Sequence, residues 1–236
     1  MSGDDGAREM VILSVAGGII VLALAWFGRS EDGAVQSTDR LIVGSALLAS
    51  FILGISLAAK PGWVRRLRKD AVHAVDSDTG LASGQGRRGH HPDCEHFRPH
   101  TVNAIGKVLC AGCTGLGIGS VASIAMVILY VSLPISPSPM ISMSLVAIGI
   151  ALVAASMADS ELFQARGGER LFSNLIMPFG FFLVAVGLLE STENAAYGLM
   201  GVLISFLWLD TRIRLSRRRH IRMCSGCVEA CKSYLA

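Results

Sequence analysis

Long uncharged hydrophobic runs alternate with short polar or basic segments along most of the 236-residue chain. All but the last run are about 17–20 residues long, and a helix of roughly 20 apolar residues crosses the ~30 Å hydrocarbon core of a bilayer. The pattern therefore predicts an all-α, polytopic membrane protein with about six transmembrane helices. The six runs are residues 10–27, 41–59, 115–134, 140–158, 171–189 and 195–209.

Composition and the leading segment favour a membrane protein that keeps all six helices. Hydrophobic residues make up 52% of the chain and charged residues only 17%, against about 25% charged in soluble domains. Residues 1–9 carry three acidic residues and one arginine, whereas a secretory signal peptide begins with positive charge. The first helix is therefore predicted to be retained, with cleavage after Ala23-Leu24-Ala25 as the less favoured alternative.

Positive charge is distributed unevenly between the two sides of the predicted bundle. Of the 21 Lys and Arg residues, only Arg29 and Arg40 fall in segments assigned to the side opposite the termini. Because basic loops stay in the cytoplasm, both termini are predicted to lie on the cytoplasmic side of the cell (inner or plasma) membrane. The predicted divisions are an N-terminal transmembrane hairpin (1–59), a cytoplasmic basic amphipathic segment with a linker and a Cys/His loop (60–114), a four-helix transmembrane region (115–209) and a basic, Cys-rich cytoplasmic tail (210–236).

Two basic segments are expected to contact lipid. Residues 61–75 place apolar side chains at helical spacing among arginines and a lysine, as in a helix that lies on the inner leaflet. The arginine-rich tail directly follows a transmembrane run, which favours a lipid-surface role over nucleic-acid binding. The predicted partners are the lipid bilayer, anionic inner-leaflet lipids and subunits of a membrane complex, with no nucleic acid.

The six cysteines form two clusters, and both are predicted to face the cytoplasm. Because the cytosol keeps thiols reduced, paired cysteines there are more often metal ligands or redox groups than structural disulfides. Each cluster contains a Cys-x-x-Cys pair, and histidines lie near both. The candidate metal ligands are Cys94, His96, Cys110, Cys113, Cys224, Cys227, Cys231, His91 and His220, whereas His100, which follows Pro99, is a poorer candidate.

Several metal arrangements fit these residues. Zinc suits a mixture of thiolate and imidazole in a tetrahedral site. One arrangement has two sites, each with three thiolates and one imidazole, and the other has one joint site. The joint site would use Cys110, Cys113, Cys224 and Cys227. An iron–sulfur cluster is the alternative cofactor, because the spacing of the three C-terminal cysteines is similar to part of a ferredoxin run, and a dithiol without metal is the third possibility.

A motif of about 26 residues ends in the third predicted helix. It comprises Cys94, Phe97, Gly106, the run Leu109-Cys110-Ala111-Gly112-Cys113-Thr114-Gly115-Leu116, and Gly119. The motif resembles a family of small predicted membrane proteins of unknown function, domain of unknown function 2085. That family has Cys-His, then an aromatic residue and a glycine, then Cys-x-Arg-Cys-Thr-Gly at the start of a helix. Here Gly112 replaces the arginine and Glu95 separates Cys94 from His96. The resemblance implies a membrane protein with metal ligands and no known reaction.

The remaining patterns narrow the function without fixing it. No predicted span has an ionisable residue near its centre, which makes ion-coupled transport less favoured. Gly115-x-x-x-Gly119 has the spacing of close helix packing. No nucleophile–base pair, phosphate loop or dinucleotide motif is present, so the sequence identifies no reaction. Whether the protein is an enzyme stays open. The leading hypothesis is a scaffold, complex subunit or sensor with a structural zinc site, and the alternatives are a membrane redox protein and a metal or small-solute transporter.

Overall fold

The computed structural model describes residues 3–30, 34–59, 87–88, 100–104, 107–133, 136–162 and 167–224. Six long helices dominate these residues, and each is long and apolar enough to cross a membrane, which confirms the six predicted transmembrane helices. The helices are α1 (Gly3–Phe27), α2 (Ser37–Ala59), α3 (Ala111–Ser132), α4 (Pro139–Leu162), α5 (Gly167–Thr192) and α6 (Ala195–Cys224).

Helix α5 lies at the centre of the bundle. In its most apolar stretch 61% of the residues are buried, against 28% in each of α1, α2 and α4. The apolar side chains on the outside of the other helices therefore face the surroundings, as expected of helices that contact lipid. Pro178 lies inside α5 and Gly180 two residues later, and a carbon added at Gly180 would meet the backbone of Gly149 in α4 at 2.9 Å.

Consecutive helices alternate in direction, so the bundle has two distinct ends. The end where α3, α5 and the chain's first helix begin holds Cys110 and Cys113, and is called the cysteine end below. The other end carries the links from α1 to α2, α3 to α4 and α5 to α6, and is called the turn end. The contacts between α2 and α3 agree with this antiparallel arrangement. Gly54 of α2 packs on Ser120 of α3, and Gly44 packs near Val127 and Val131.

The small-residue spacing predicted for helix packing brings α3 against α5. A side-chain carbon added at Gly115 would collide with the main-chain oxygen of Leu171, and one added at Gly119 would collide with that of Leu175. Only glycine permits this approach between the two backbones. The prediction that Gly115 and Gly119 mediate close helix packing is therefore confirmed, and the contact fixes the start of α3 against the start of α5.

Helix α6 is longer than its hydrophobic run. The run ends at residue 209, whereas the helix continues without a break to Cys224, and its membrane-compatible part extends over Ala195–Ser216. Arg212 therefore lies within the candidate span. The charge is accommodated there because α5 supplies hydrogen-bond partners to the guanidinium group, which hydropathy along the chain does not reveal.

A small sheet precedes α3 in a region where the sequence predicts a loop. Strand β2 (Thr101–Ala104) pairs antiparallel with β3 (Lys107–Cys110), and β1 (Arg87–Arg88) pairs parallel with β3 on its other side. The register places Thr101 opposite Cys110. The start of β2 therefore lies beside the start of α3.

Several predicted features lie outside the described residues. They include the amphipathic segment 61–75 and the candidate ligands His91, Cys94, His96, Cys227 and Cys231. For His220 and Cys224 the structure describes the helical backbone only. The two positions are four residues apart near the end of α6, at the cysteine end of the bundle.

Candidate functional site

Cys110 and Cys113 lie together where β3 passes into α3. Cys110 is the last residue of β3 and the N-cap of α3, and Cys113 is the third residue of that helix. The thiol of Cys113 is in hydrogen-bonding contact with that of Cys110, and both are half-buried and form no disulfide. The Thr114 hydroxyl donates to the main-chain oxygen of Cys110 at 2.9 Å, which fixes the first turn of the helix.

The start of α3 gives the thiol pair a defined electrostatic setting. The first N–H groups of a helix have no partners within the helix, and they favour negative charge nearby. Cys110 makes no side-chain capping hydrogen bond to these groups. The start of a helix thus favours thiolates, whereas the partial burial of the two side chains favours neutral thiols.

Asn174 of α5 connects the thiol-bearing start of α3 to α6. The main chain of Gly112 packs on the Asn174 amide group, with an added carbon 3.6 Å from Nδ2. Asn174 Nδ2 donates to the main-chain oxygen of Arg170 at 2.7 Å. Arg212 Nε donates in turn to Asn174 Oδ1 at 3.2 Å. One amide group thus contacts the thiol-bearing turn and the buried arginine of α6.

Arg212 is buried with mostly neutral partners. Its side chain is only 8% exposed, and Nη2 donates to Ser173 Oγ at 3.0 Å. Asp159 of α4 has its Oδ2 at 3.9 Å from Nη2, too far for a hydrogen bond. Nη1 is buried and has no hydrogen-bond partner. The positive charge at this position is therefore incompletely compensated by its described neighbours.

Two more arginines lie near this buried group. Arg170 of α5 is close enough to both Arg212 and Arg219 for their positive charges to repel one another. Arg170 is also within electrostatic range of Cys110 and of the Asp159 carboxylate. We call the set Cys110, Cys113, Asp159, Arg170, Ser173, Asn174, Arg212 and Arg219 the cysteine-end cluster.

A second buried polar cluster lies at the turn end. Arg40 of α2 forms an ion pair with Glu190 of α5 at 3.1 Å, with side-chain exposures of 8% and 2%. The Tyr130 hydroxyl donates to the same carboxylate oxygen, and the Arg40 guanidinium lies 5.4 Å from the Tyr130 ring centroid. Arg40 also donates to Leu133 O and Ser136 Oγ. We call these five residues the turn-end cluster.

The structure brings together two of the nine predicted ligands. Within the described residues, no three His, Cys, Asp or Glu side chains come close enough to hold a metal ion. His100, the poorer candidate, is buried at the start of β2, next to the residue that pairs with Cys110. Cys110 and Cys113 therefore form the described core of the site.

Sequence reasoning did not identify the polar residues beside the thiols. The charge distribution assigns Arg170 and Arg212 to the side of the termini but does not bring them near the thiols. One signal is available in the sequence. Asp159, Asn174 and Arg212 lie near the termini of three different predicted spans, on the same predicted side. Antiparallel packing brings such residues to one end of a bundle.

These features define a multi-pass helical membrane protein with a thiol pair and a buried arginine at one end. No family model, curated protein or solved structure matches the chain. The resemblance of Cys94–Gly119 to a family of unknown function therefore stays a prediction from the residues themselves.

Proposed function

We propose that this chain is a multi-pass protein of the cell membrane that holds a structural zinc ion at its cysteine end, facing the cytoplasm. In this proposal it acts as a scaffold, as a subunit of a membrane complex or as a sensor. The observation that supports it most directly is the contact between the Cys110 and Cys113 thiols at the start of α3.

The chemistry of the thiol pair fits zinc. A tetrahedral ion with Zn–S distances of about 2.3 Å holds two thiolates roughly 3.8 Å apart, which is also a contact distance between sulfur atoms. The Thr114 hydroxyl bond to the main-chain oxygen of Cys110 fixes the first turn of α3, in which the two thiols are in contact. When bound, zinc would supply a rigid link between these thiolates and ligands from other segments.

The path of the chain supports a ligand set completed from the preceding loop. Thr101 pairs with Cys110, and His96 and Cys94 lie five and seven residues before Thr101. Five and seven residues span at most about 18 and 25 Å, so the connecting chain is short enough for His96 and Cys94 to fold back onto the thiol pair. A site with Cys94, His96, Cys110 and Cys113, with His91 as the alternative histidine, follows from this connection.

The second arrangement uses the end of α6. Positions 220 and 224 lie one turn apart at the cysteine end, and Cys227 and Cys231 follow within seven residues of Cys224. A joint site of Cys110, Cys113, Cys224 and Cys227 would connect the start of α3 to the end of α6. A separate second site would use Cys224, Cys227, Cys231 and His220.

Elemental analysis of the purified full-length protein tests the proposal. We expect one or two zinc ions per chain, and loss of one ion in Cys110→Ser and in Cys113→Ser. Gly117→Ala, a substitution in the same helix that adds an ordinary contact with Ala58 and changes no thiol, is the matched control and should keep the metal. Zinc content that is unchanged by both cysteine substitutions would refute the site.

The same preparations separate the possible arrangements. Loss of zinc in Cys94→Ser, with no effect of Cys224→Ser, indicates a site completed by the loop. The opposite pattern indicates the joint site, and loss of one of two ions in each indicates separate sites.

A membrane redox protein is the second candidate, because a thiol at the N-cap and another at the third helical residue also form a redox dithiol. An iron–sulfur cluster gives visible absorption that bleaches on reduction, whereas zinc is colourless. A disulfide between Cys110 and Cys113 would instead appear as two fewer titratable thiols in the metal-free protein.

A further inference from the structure

The Asn174 side chain lies against the thiol-bearing turn of α3. A carbon added at Gly112 would lie 3.6 Å from Asn174 Nδ2, and one added at Gly115 would lie 3.1 Å from Asn174 Cβ. Cys113 lies between these two glycines, and its thiol contacts that of Cys110. The turn that begins at Cys110 and contains Cys113 therefore packs on the side chain of Asn174.

The amide group of Asn174 is engaged at both of its polar atoms. Its Nδ2 donates to the main-chain oxygen of Arg170 at 2.7 Å, one turn earlier in α5. Its Oδ1 accepts from Arg212 Nε at 3.2 Å. Because the first bond fixes the orientation of the amide, Oδ1 is held toward α6. A movement of the α3 turn against this group would therefore change the hydrogen bond to Arg212.

Arg212 connects that amide to the last part of α6. The buried arginine also donates to Ser173 Oγ at 3.0 Å and forms an ion pair with Asp159 of α4 at 3.9 Å. Ser173 in turn contacts α4, since its hydroxyl donates to the main-chain oxygen of Ser156 at 3.3 Å. Among the described contacts of Arg212, that with Asn174 leads to the thiols, whereas those with Ser173 and Asp159 lead to α4.

Pro178 weakens α5 next to Asn174. Proline has no main-chain N–H, so the main-chain oxygen of Asn174 lacks the donor that a residue four positions later normally supplies. A proline within a helix is also a common site of bending. The backbones of α3 and α5 are in close contact at Gly115 and Leu171. The first turns of α5 can therefore shift together with the start of α3, relative to the rest of α5.

We infer that Asn174 is a positioning residue that couples zinc binding at Cys110 and Cys113 to the end of α6, an inference that rests on the zinc site proposed above. With the first turn of α3 fixed by the metal, the Asn174 amide is held in the orientation that accepts from Arg212. Because coupling between two sites is reciprocal, the same contact raises the affinity for zinc. Helix α6 is then the element that responds to occupancy of the site, as the output of a sensor would.

Hydrogen exchange of the purified full-length protein, with and without zinc, tests the coupling. The zinc-free form is prepared with a chelator, and the amides of residues 213–224 are followed by mass spectrometry. We expect saturating zinc to slow their exchange about tenfold, within the usual range for coupled sites. Asn174→Leu has a side chain of similar size without a hydrogen-bond acceptor. In this variant saturating zinc should leave the exchange unchanged, and the affinity for zinc should fall about tenfold by the same linkage.

Ser173→Ala is the matched control. It removes the neighbouring hydrogen bond to Arg212 at 3.0 Å but leaves Asn174 in place, so zinc should still slow the exchange about tenfold. Arg212→Met is the second test variant, because it removes the donor on the α6 side and keeps the thiol turn and Asn174. It should abolish the effect of zinc on α6 as Asn174→Leu does, and circular dichroism shows whether each variant is folded.

The inference is supported if zinc protects α6 in the unchanged protein and in Ser173→Ala but not in the folded test variants. It is overturned if the protein binds zinc and α6 does not respond, or if Ser173→Ala also loses the response. It is equally overturned if the response persists in Asn174→Leu, as a direct link through Cys224 would produce. Absence of zinc from the unchanged protein would instead refute the proposed zinc site, and the coupling with it.

Discussion

Each end of the bundle contains a buried arginine, and the two arginines differ in their partners. Arg40 at the turn end and Arg212 at the cysteine end are equally buried, with 8% of each side chain exposed. Arg40 has a carboxylate at 3.1 Å and an aromatic ring beneath its guanidinium group. Arg212 has an amide and a hydroxyl as partners and a carboxylate at 3.9 Å.

The difference shows which end is structurally complete. At the turn end the charge of Arg40 is balanced within the chain, and Tyr130 fills another acceptor position on Glu190. Because these partners come from α2, α3 and α5, the cluster joins three helices by itself. At the cysteine end the Asp159 carboxylate lies 3.9 Å from Arg212, farther than the carboxylate that pairs with Arg40, and two thiols lie in the same cluster. The turn end thus stabilises the bundle, whereas the cysteine end is where ligands are expected.

Glu190→Gln is expected to have the largest effect on stability. The substitution keeps the shape of the side chain but leaves the positive charge of Arg40 buried without a counterion. Breaking a buried pair in this way costs about 3–5 kcal/mol. The free energy of unfolding in detergent, followed by denaturant titration with circular dichroism, measures the loss.

Arg40→Met combined with Glu190→Leu provides the control for this prediction. Removing both charges together should recover most of the stability, because no unpaired charge remains. If the double substitution is as unstable as Glu190→Gln, the contribution of the pair is not electrostatic and the contrast between the two ends fails.

Gly115→Ala should have the next largest effect, and it acts on the cysteine end. The new methyl group would collide with the Leu171 main-chain oxygen, so α3 and α5 must separate. Overpacking of this kind costs about 1–3 kcal/mol. Because Gly112 packs on Asn174 one turn away, we also expect weaker metal retention, measured by zinc release to a chelator.

Gly117→Ala is the matched control in the same helix. A carbon at Gly117 would lie 3.5 Å from Ala58 of α2, an ordinary contact distance. It should leave both stability and metal retention nearly unchanged. Equal losses in the two variants would mean that α3 tolerates no substitution, and that the contact with α5 is not specific.

The sequence predicts the helices better than the site, and the reason is physical. Six apolar runs are local signals, and each becomes a helix because a bilayer requires satisfied backbone hydrogen bonds. The glycine spacing in α3 is also local, and its predicted role in packing is confirmed. The small sheet was missed because four-residue strands next to Gly106 give too short a pattern to distinguish from a loop.

The polar clusters depend on contacts between distant segments, which a single sequence does not encode in a readable form. Tyr130 and Glu190 lie 60 residues apart, and Arg40 lies further still from Glu190. Arg40 and Glu190 each lie next to the end of a predicted span, but their pairing follows only from the packing of α2 and α3 on α5. The same holds for Arg212, whose predicted place in a tail reflects the end of its hydrophobic run at residue 209.

Asp159→Asn should have the smallest effect on stability, and it tests the contrast most directly. Asp159 is too far from Arg212 for a hydrogen bond, and the bonds to Asn174 and Ser173 persist without it. We expect a loss of at most about 1 kcal/mol, as for weakly coupled charge pairs. A destabilisation as large as that of Glu190→Gln would identify Asp159 as the counterion of Arg212. The buried arginines of the two ends would then be paired equally strongly.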